Sequence, residues 1–346
     1  MPVPSIYPRI DPVIEGTPRP FWSVMIPTYN CADLLKRTLA SVLEQDPGPD
    51  DMQIEVIDDR STKDKPEEVV AALGKGRVRF FRQPQNVGAQ ANFTTCISRA
   101  SGHWVHILHG DDMVRPGYYA RIRRASEEVP SIGAAFCRYI YIDEDDHWQR
   151  FSPIERRTPG ILAEYLPAIT RANPIMFPAI SVKRAVYEQI GGFHPHLFHS
   201  ADWEMWKRVY LHCPVWYDPE PLALYRVHSA SDSSTLMMTG ANIADARASI
   251  AVSHGSLPPD RAATLSYYAR QHLALAAFGS ARDLLRDGHA RAALAQVREG
   301  LKTQTSLATT TDLARFVIST VIWWGKSGVR ELQSALRRRQ SSARRG

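Results

Sequence analysis

Paired carboxylates placed just beyond apolar runs are the first feature of chemical interest in this 346-residue chain. Asp58–Asp59 follows Gln53–Ile57, and Asp111–Asp112 follows His103–Leu108 with Gly110 directly before it. Two adjacent carboxylates offer the hard oxygen ligands that Mg2+ or Mn2+ requires. They also accept hydrogen bonds from hydroxyl or imide N–H donors. A solvated loop, or a cap on the helix beginning near Pro116, is the plain reading of Asp111–Asp112. Its position after a buried strand, with Gly110 allowing close approach, favours cation binding. A third acid, Asp202, lies at the start of the helical segment Ala201–His212. There Asp commonly serves as an N-terminal cap, and the helix dipole favours its ionised form. Tyr225–Arg226–Val227–His228 adds a guanidinium and an imidazole, with Ser229, Ser231 and Ser233 behind them.

The elements that must position these groups alternate in type. Ser23–Pro27 is an apolar run suited to a buried parallel strand, and Cys31–Gln45 has helical spacing. Strand Gln53–Ile57, helix Pro66–Leu73 closed by Gly74, strand Arg77–Arg82 and helix Gly88–Ala100 follow. Strand His103–Leu108 and helix Pro116–Val129 complete the series. This alternation predicts an α/β fold built on an open, mostly parallel sheet. Ligands bind at the carboxyl edge of such sheets, where both acidic pairs fall. Beyond, Ile132–Ile142 reads as a long strand, and Asp143–Pro178 as irregular with one short helix around Ile161–Ile169. Ala179–Val182 is a strand, Arg184–Ile190 a helix and Gly191–Gly192–Phe193 a tight turn. A strand at Val215–Tyr217 precedes Leu222–His228. From Ser233 the chain is rich in Ala and Leu and mainly helical, with Gly288 and Gly300 as breaks.

Composition narrows the function classes. A hydrophobic share of 44% and a charged share of 23% exclude wholesale disorder. The formal charge of +6 resides in residues 326–346, where Lys326, Arg330, Arg337, Arg338, Arg339, Arg344 and Arg345 face Glu331 alone. Residues 1–325 are balanced, which disfavours a nucleic-acid-binding body. Cys31, Cys96, Cys137 and Cys213 form no CxxC pair, so buried reduced thiols are expected and zinc has no supporting spacing. Residues 1–20 read as an extended, proline-rich arm without the apolar core of a secretory signal. Phe316–Trp324 is too short to cross a bilayer. These features predict a cytoplasmic protein, with contact at the inner face of the membrane through residues 313–346 as the tail's functional reading. A core-packed helix with a solubilising tail is the alternative.

Six segments in order resemble the family 2 glycosyltransferases, nucleotide-sugar-dependent enzymes of GT-A fold. They are SVMIPTYN, VIDDRST, NVG with HGDD, GGF, DWEMWKR and YRVHSASDS, spread over residues 22–233. The resemblance implies a GT-A domain over residues 21–233, a helical region over 234–325 and a basic tail over 326–346. It implies that Pro27, Thr28, Tyr29, Asp58, Asp59, Asn86, Gly88, Asp111 and Arg226 bind the donor. Asp111, Asp112 and His228 would hold Mn2+ or Mg2+, and Asp202 would be the catalytic base. Residues Ser229–Ser234 would form a flap. Two positions depart from the family pattern: His109 stands where a further Asp is common, and Ala201 replaces the Glu of a Glu-Asp pair. His109 is then a ligand, a ribose contact or a space-filler. The QxxRW signature of processive members is absent, which implies transfer of a single sugar.

The implied activity is inverting transfer from a nucleotide-sugar donor, UDP-linked by preference, to a carbohydrate or lipid-linked acceptor. Cell-surface polysaccharide or glycolipid synthesis is its expected setting, and the helical region offers a surface for a homodimer. A catalytically silent nucleotide-sugar-binding scaffold is the rival that His109 and Ala201 permit. Trp203 and Trp206 are open to sugar stacking or to core packing.

Overall fold

The computed structural model describes residues 6–227 and 232–315. The first half alternates β1 (Trp22–Thr28), α1 (Ala32–Leu43), β2 (Met52–Asp58), α2 (Pro66–Gly74), β3 (Arg79–Arg82), α3 (Ala89–Arg99) and β4 (Trp104–Ile107). Then come β5 (Met113–Val114), α4 (Tyr118–Glu128), β6 (Ala134–Ile142), β7 (Trp148–Phe151), β8 (Gly160–Ile161) and α5 (Leu166–Arg171). A 3-10 turn, Phe177–Ala179, leads to β9 (Ile180–Lys183), α6 (Arg184–Ile190), α7 (Ala201–His212) and β10 (Val215–Arg226). Helices α8 (Asp232–Thr239), α9 (Ala241–His254), α10 (Pro259–Arg286) and α11 (Ala290–Thr303) follow, and residues 307–315 are helical again.

One sheet carries the architecture, in the order β3-β2-β1-β4-β9-β6-β10-β5, with β7 beside β6 and β8 beside β10. The pairs β3–β2, β2–β1, β1–β4 and β6–β10 are parallel, whereas β9 runs against both β4 and β6. The sheet is therefore mostly parallel. All seven residues of β1 and all seven of β2 are buried, as expected of strands covered on both faces. Met25 and Ile57 point into one apolar layer, with Phe93, Ile97, Phe193 and Trp206. Val24, Ile26 and Val56 point into the other, with Leu35, Leu39 and Tyr118. Helices on both faces thus lock the register that brings Thr28 opposite Asp58 at the carboxyl edge.

Several boundaries differ from expectation for local physical reasons. The stretch read as irregular contains β7, whose four residues are all exposed and carry no burial pattern, and β8, only two residues long. Its short helix is Leu166–Arg171, later than expected. Val215–Tyr217 and Leu222 onward are one strand, because bulges between Asp218 and Ala223 absorb two prolines that cannot donate to the ladder. Gly288 does end a helix, at φ +85°. Gly300, in contrast, lies inside α11, where a Cβ would come within 2.8 Å of the Phe278 ring. It lets α11 pack closely on α10 rather than breaking it.

The N-terminal arm is strapped down. Tyr7 and Ile10 are buried, Gly192 N donates to Pro8 O at 2.8 Å, and Arg19 donates to the carbonyls of Ser101 and Gly102. All four cysteines are free thiols, and burial pushes Cys31 up to about 12. None of the helices among the described residues is long and apolar enough to cross a membrane. Residues 316–346, with Phe316–Trp324 and the arginine-rich tail, lie outside the described residues.

Candidate active site

The loop after β4 holds Asp111 and Asp112 against the end of β1. Gly110 N donates to Pro27 O at 3.0 Å, and a Cβ on Gly110 would meet Thr28 and Cys31 at 3.0–3.1 Å. Glycine is needed here for that close approach. Thr38 Oγ1 donates to Asp112 O at 2.7 Å, tying the loop to α1. The Asp112 carboxyl is buried and receives Arg226 N on Oδ1 at 2.9 Å. Its Oδ2 is buried with no hydrogen-bond partner among the described residues. Burial, then the neighbouring Asp111, pushes its pKa well above the usual carboxylate range. A buried oxygen left without a donor calls for a ligand or a cation. His109, Asp111 and Asp112 each bring one ligand atom within 4.8 Å of the others, so the residues present fit a divalent cation. The His109 ring also stacks on Phe93, centroids 4.9 Å apart, and sits 4.3 Å from Phe177. It is built into the aromatic layer as much as into the acidic cluster.

The first acidic pair is engaged differently. Asp58 accepts Ser61 Oγ at 2.5 Å and Ser61 N at 3.0 Å on Oδ1, and Arg82 Nε at 2.7 Å on Oδ2. Its side chain is fully enclosed. Asp59 accepts Val87 N at 2.7 Å and Gly88 N at 2.9 Å, while Asn86 Nδ2 donates to Asp59 O at 3.0 Å. Asp58 and Asp59 thus brace the loops around the edge, and Asn86 and Gly88 form the turn they brace. Gly88, at φ +84°, is also the residue from which α3 starts. Thr28 is buried with its Oγ1 2.9 Å from Cys31 Sγ, whereas the Tyr29 ring is about half exposed and does not pack into the core.

Arg226 closes the site from β10, but as a clamp. Its fully enclosed guanidinium donates to Asp111 O at 2.8 Å, to Asp143 O at 2.5 Å and to Asp146 Oδ1 at 2.5 Å. These protein oxygens occupy the fork expected to pair with a diphosphate, and the guanidinium holds the acidic loop instead. His228 and Ser229–Ser231 lie outside the described residues.

Asp202 sits in the first turn of α7. It accepts Trp203 N at 2.6 Å and Asn173 Nδ2 at 2.8 Å, and burial raises its pKa to about 7. That value suits a general base at neutral pH. The cap position belongs to Ser200, which makes no side-chain cap bond, and Asp202 satisfies a first-turn N–H of α7 alongside any role as base. The Tyr225 hydroxyl feels the charges of Asp112, Asp111 and Asp202, which with its burial push it up. All three carboxyls are therefore within electrostatic reach of one phenol. Glu204 points away, to Tyr7 Oη at 2.8 Å and to Arg208. Trp203 and Trp206 are core: Trp203 Nε1 donates to Ile169 O, and Trp206 packs on Phe177 and Phe193. Asn173 and Asp146 are site residues that sequence reasoning missed. Both lie in the stretch read as irregular, and no spacing pointed to them. A cavity of about 540 Å3 opens beside Gly88, walled by Phe193, Phe198 and Leu236; none of the three carboxyls lines it.

A mostly parallel sheet with a carboxylate pair at its carboxyl edge and helices on both faces is the GT-A arrangement of glycosyl transfer. Residues 23–191 match the family described as Glycosyl transferase family 2, and that segment is a family 2 glycosyltransferase domain. An uncharacterised protein of Mycobacterium tuberculosis is 29% identical over 238 residues, 66% of this chain and 73% of its own length. The succinoglycan biosynthesis protein ExoO of Rhizobium meliloti is 33% identical over 127 residues, 37% of this chain and 33% of its own. Among solved structures, S. aureus TarS (1–349) in complex with UDP-GlcNAc aligns with a TM-score of 0.57 at 15% identity, over 72% of each chain. The mannosyltransferase PcManGT of Pyrobaculum calidifontis, in complex with GDP-Man and Mn2+, aligns with a TM-score of 0.56 at 19% identity. That match covers 88% of this chain and 81% of the mannosyltransferase.

Proposed function

We propose that this transferase moves one sugar, with inversion, from a nucleoside-diphosphate donor to an acceptor hydroxyl in polysaccharide or glycolipid synthesis. The observation that carries this reading is the cluster of His109, Asp111 and Asp112, whose ligand atoms lie within 4.8 Å of one another, with Asp202 within electrostatic reach of the same Tyr225 hydroxyl as the two aspartates. Their environments differ: Asp112 has an unpartnered oxygen, and Asp202 is a partnered carboxyl held near neutrality. The acceptor hydroxyl gives its proton to Asp202 as its oxygen attacks the anomeric carbon. The bond from that carbon to the diphosphate oxygen breaks on the opposite face, so an α-linked donor yields a β-linked product. Asp111 and Asp112, with His228, would hold a divalent cation, Mn2+ or Mg2+, which would offset the charge of the departing diphosphate.

Pro27, Thr28, Tyr29 and the Asn86–Gly88 turn border the donor, and Asp58, Asp59 and Arg226 keep that border in shape. A UDP-sugar is the favoured donor, consistent with the UDP-GlcNAc bound by TarS. A GDP-sugar is the second outcome to test, given the mannosyltransferase. The acceptor is a carbohydrate or a lipid-linked carbohydrate, met at the inner face of the membrane through residues 313–346. A panel of UDP- and GDP-sugars, screened by thermal shift with and without Mn2+, identifies the donor, since a ligand that binds only the native state raises its melting temperature. With that donor, Asp202→Asn abolishes transfer and keeps donor binding. Transfer at the wild-type rate would refute the base assignment.

A further inference from the structure

The loop that launches α7 is held in place from the C-terminal helical region. Phe198, His199 and Ser200 run directly into α7, and their three successive backbone N–H groups converge on one side chain. Phe198 N donates to Asp245 Oδ1 at 2.9 Å, while His199 N and Ser200 N donate to Oδ2 at 3.0 and 2.8 Å. Asp245 belongs to α9. Ser200, at the cap position of α7, makes no side-chain capping bond of its own; Asp245 anchors the three N–H groups that lead into the helix, while the first-turn Trp203 N is taken by Asp202 itself. From the other side Gln90 Nε2 donates to Phe198 O at 2.7 Å, so the loop is gripped between α3 and α9. The same α9 face continues along α7. Trp203 packs on Ala246 and Ile250, and Lys207 Nζ donates to Ser249 Oγ at 3.2 Å. Positions 200, 203 and 207 lie on one face of α7, which α9 covers. The Asp202 carboxyl is held instead by Asn173 Nδ2.

We propose that Asp245 is a positioning residue for glycosyl transfer. By holding the Phe198–Ser200 backbone it sets the first turn of α7 and hence the direction in which Asp202 presents its carboxyl, making α9 a working part of the transferase centre. The inference rests on Asp202 being the base. Two further observations support it. Asp245 also fixes Phe198, which walls the cavity beside Gly88. And its negative charge is felt at Asp202, a small addition to the burial that holds that carboxyl up. The other titratable groups facing Asp202 are Tyr225 from β10 and Lys207 from α7 itself; those facing Asp245 are His194 and His199.

The test compares wild type, Asp245→Asn, Asp245→Glu and Asp202→Asn as full-length protein. It uses Mn2+ and the UDP- or GDP-sugar chosen by thermal shift, and reads donor binding and the pH profile of nucleoside diphosphate release. Asp245→Asn is expected to fold, to bind donor within about twofold of wild type, and to lose kcat by about 10- to 100-fold, the cost of a small misplacement of a reacting group. Removing the charge lowers the Asp202 pKa, so the acid limb of kcat moves to lower pH. Asp245→Glu keeps the charge and displaces the loop, so kcat falls while the limb stays. Wild-type kcat in Asp245→Asn overturns the inference. So does a loss that only tracks the folded fraction with the limb unmoved. If Asp245→Asn does not fold, wild-type kcat in Asp245→Glu overturns it. If Asp202→Asn turns over normally, the base assignment fails and the inference with it; an inactive Asp202→Asn beside a fully active Asp245→Asn sinks the inference alone.

Discussion

Asp58–Asp59 and Asp111–Asp112 present the same pattern in the sequence, two carboxylates at the carboxyl end of a parallel strand, and they do different jobs. The first pair is saturated. Asp58 is met by Ser61 and Arg82, and Asp59 by the backbone N–H groups of Val87 and Gly88. In the second pair, Asp112 receives one backbone N–H and keeps a buried oxygen without a donor beside another carboxylate. Satisfied carboxylates hold loops in shape. A buried carboxylate short of donors is a standing cost to folding, of the kind that binding a cation relieves. Residue type and strand-end position are shared by both pairs, so the supply of hydrogen-bond donors is what separates the braced pair from the one proposed to bind.

Four substitutions probe that contrast. Asp112→Asn should cost the most activity, at least about 10²-fold in kcat, as when a charge-stabilising group is lost. Its melting temperature should equal or exceed that of wild type, because the variant removes an under-satisfied buried charge. Arg226→Lys should come next. A lysine cannot span the Asp111, Asp143 and Asp146 oxygens at once, so both activity and stability should fall, by about 3 kcal/mol in denaturant titration. Asp58→Asn should read as a stability mutant. It breaks the Arg82 pair, and because Arg82 is one-third exposed the loss should be about 2 kcal/mol, with activity recovered in the folded fraction. Asp59→Ala should cost about 1 kcal/mol for the two freed N–H groups of the turn. A first-pair variant that lost Mn2+ dependence while staying folded would break the contrast.

The smallest effect is a pH dependence of stability. Asp202 has a raised folded pKa, about 7, so it stabilises the fold at low pH, and that contribution is lost as pH rises through 7. Lys207, lowered by burial to about 7, contributes in the opposite sense. Between pH 6 and 8 the two should nearly cancel. Asp202→Asn should then gain about 1 kcal/mol relative to wild type over that interval, read as the difference of two denaturant series so that the histidines drop out.

Much of this arrangement is legible in the sequence where one short segment carries its own signal. The fully buried runs of β1 and β2, the helical spacing of α1, and the ends of α6 and α7 follow from local apolar pattern. β7 is exposed at all four positions and so has no pattern to read. β10 looked like two strands because its prolines sit in bulges. What long-range packing decides was not legible. Asp58 and Asp112 differ through partners far along the chain, Arg82 and Arg226. Arg226 shows as a free guanidinium in sequence, and its acceptors come from a turn some 80 residues away. Asp245 is one acid on a polar helical face until α9 docks on α7.

The most direct measurement is the Mn2+-dependent rise in melting temperature with UDP or GDP, compared between wild type, Asp112→Asn and Asp59→Asn, each against its own metal-free baseline. The account predicts that Asp112→Asn loses the Mn2+ increment, while Asp59→Asn starts from a lower baseline and keeps it. An undiminished increment in Asp112→Asn would contradict the assignment of the cation to the second acidic pair.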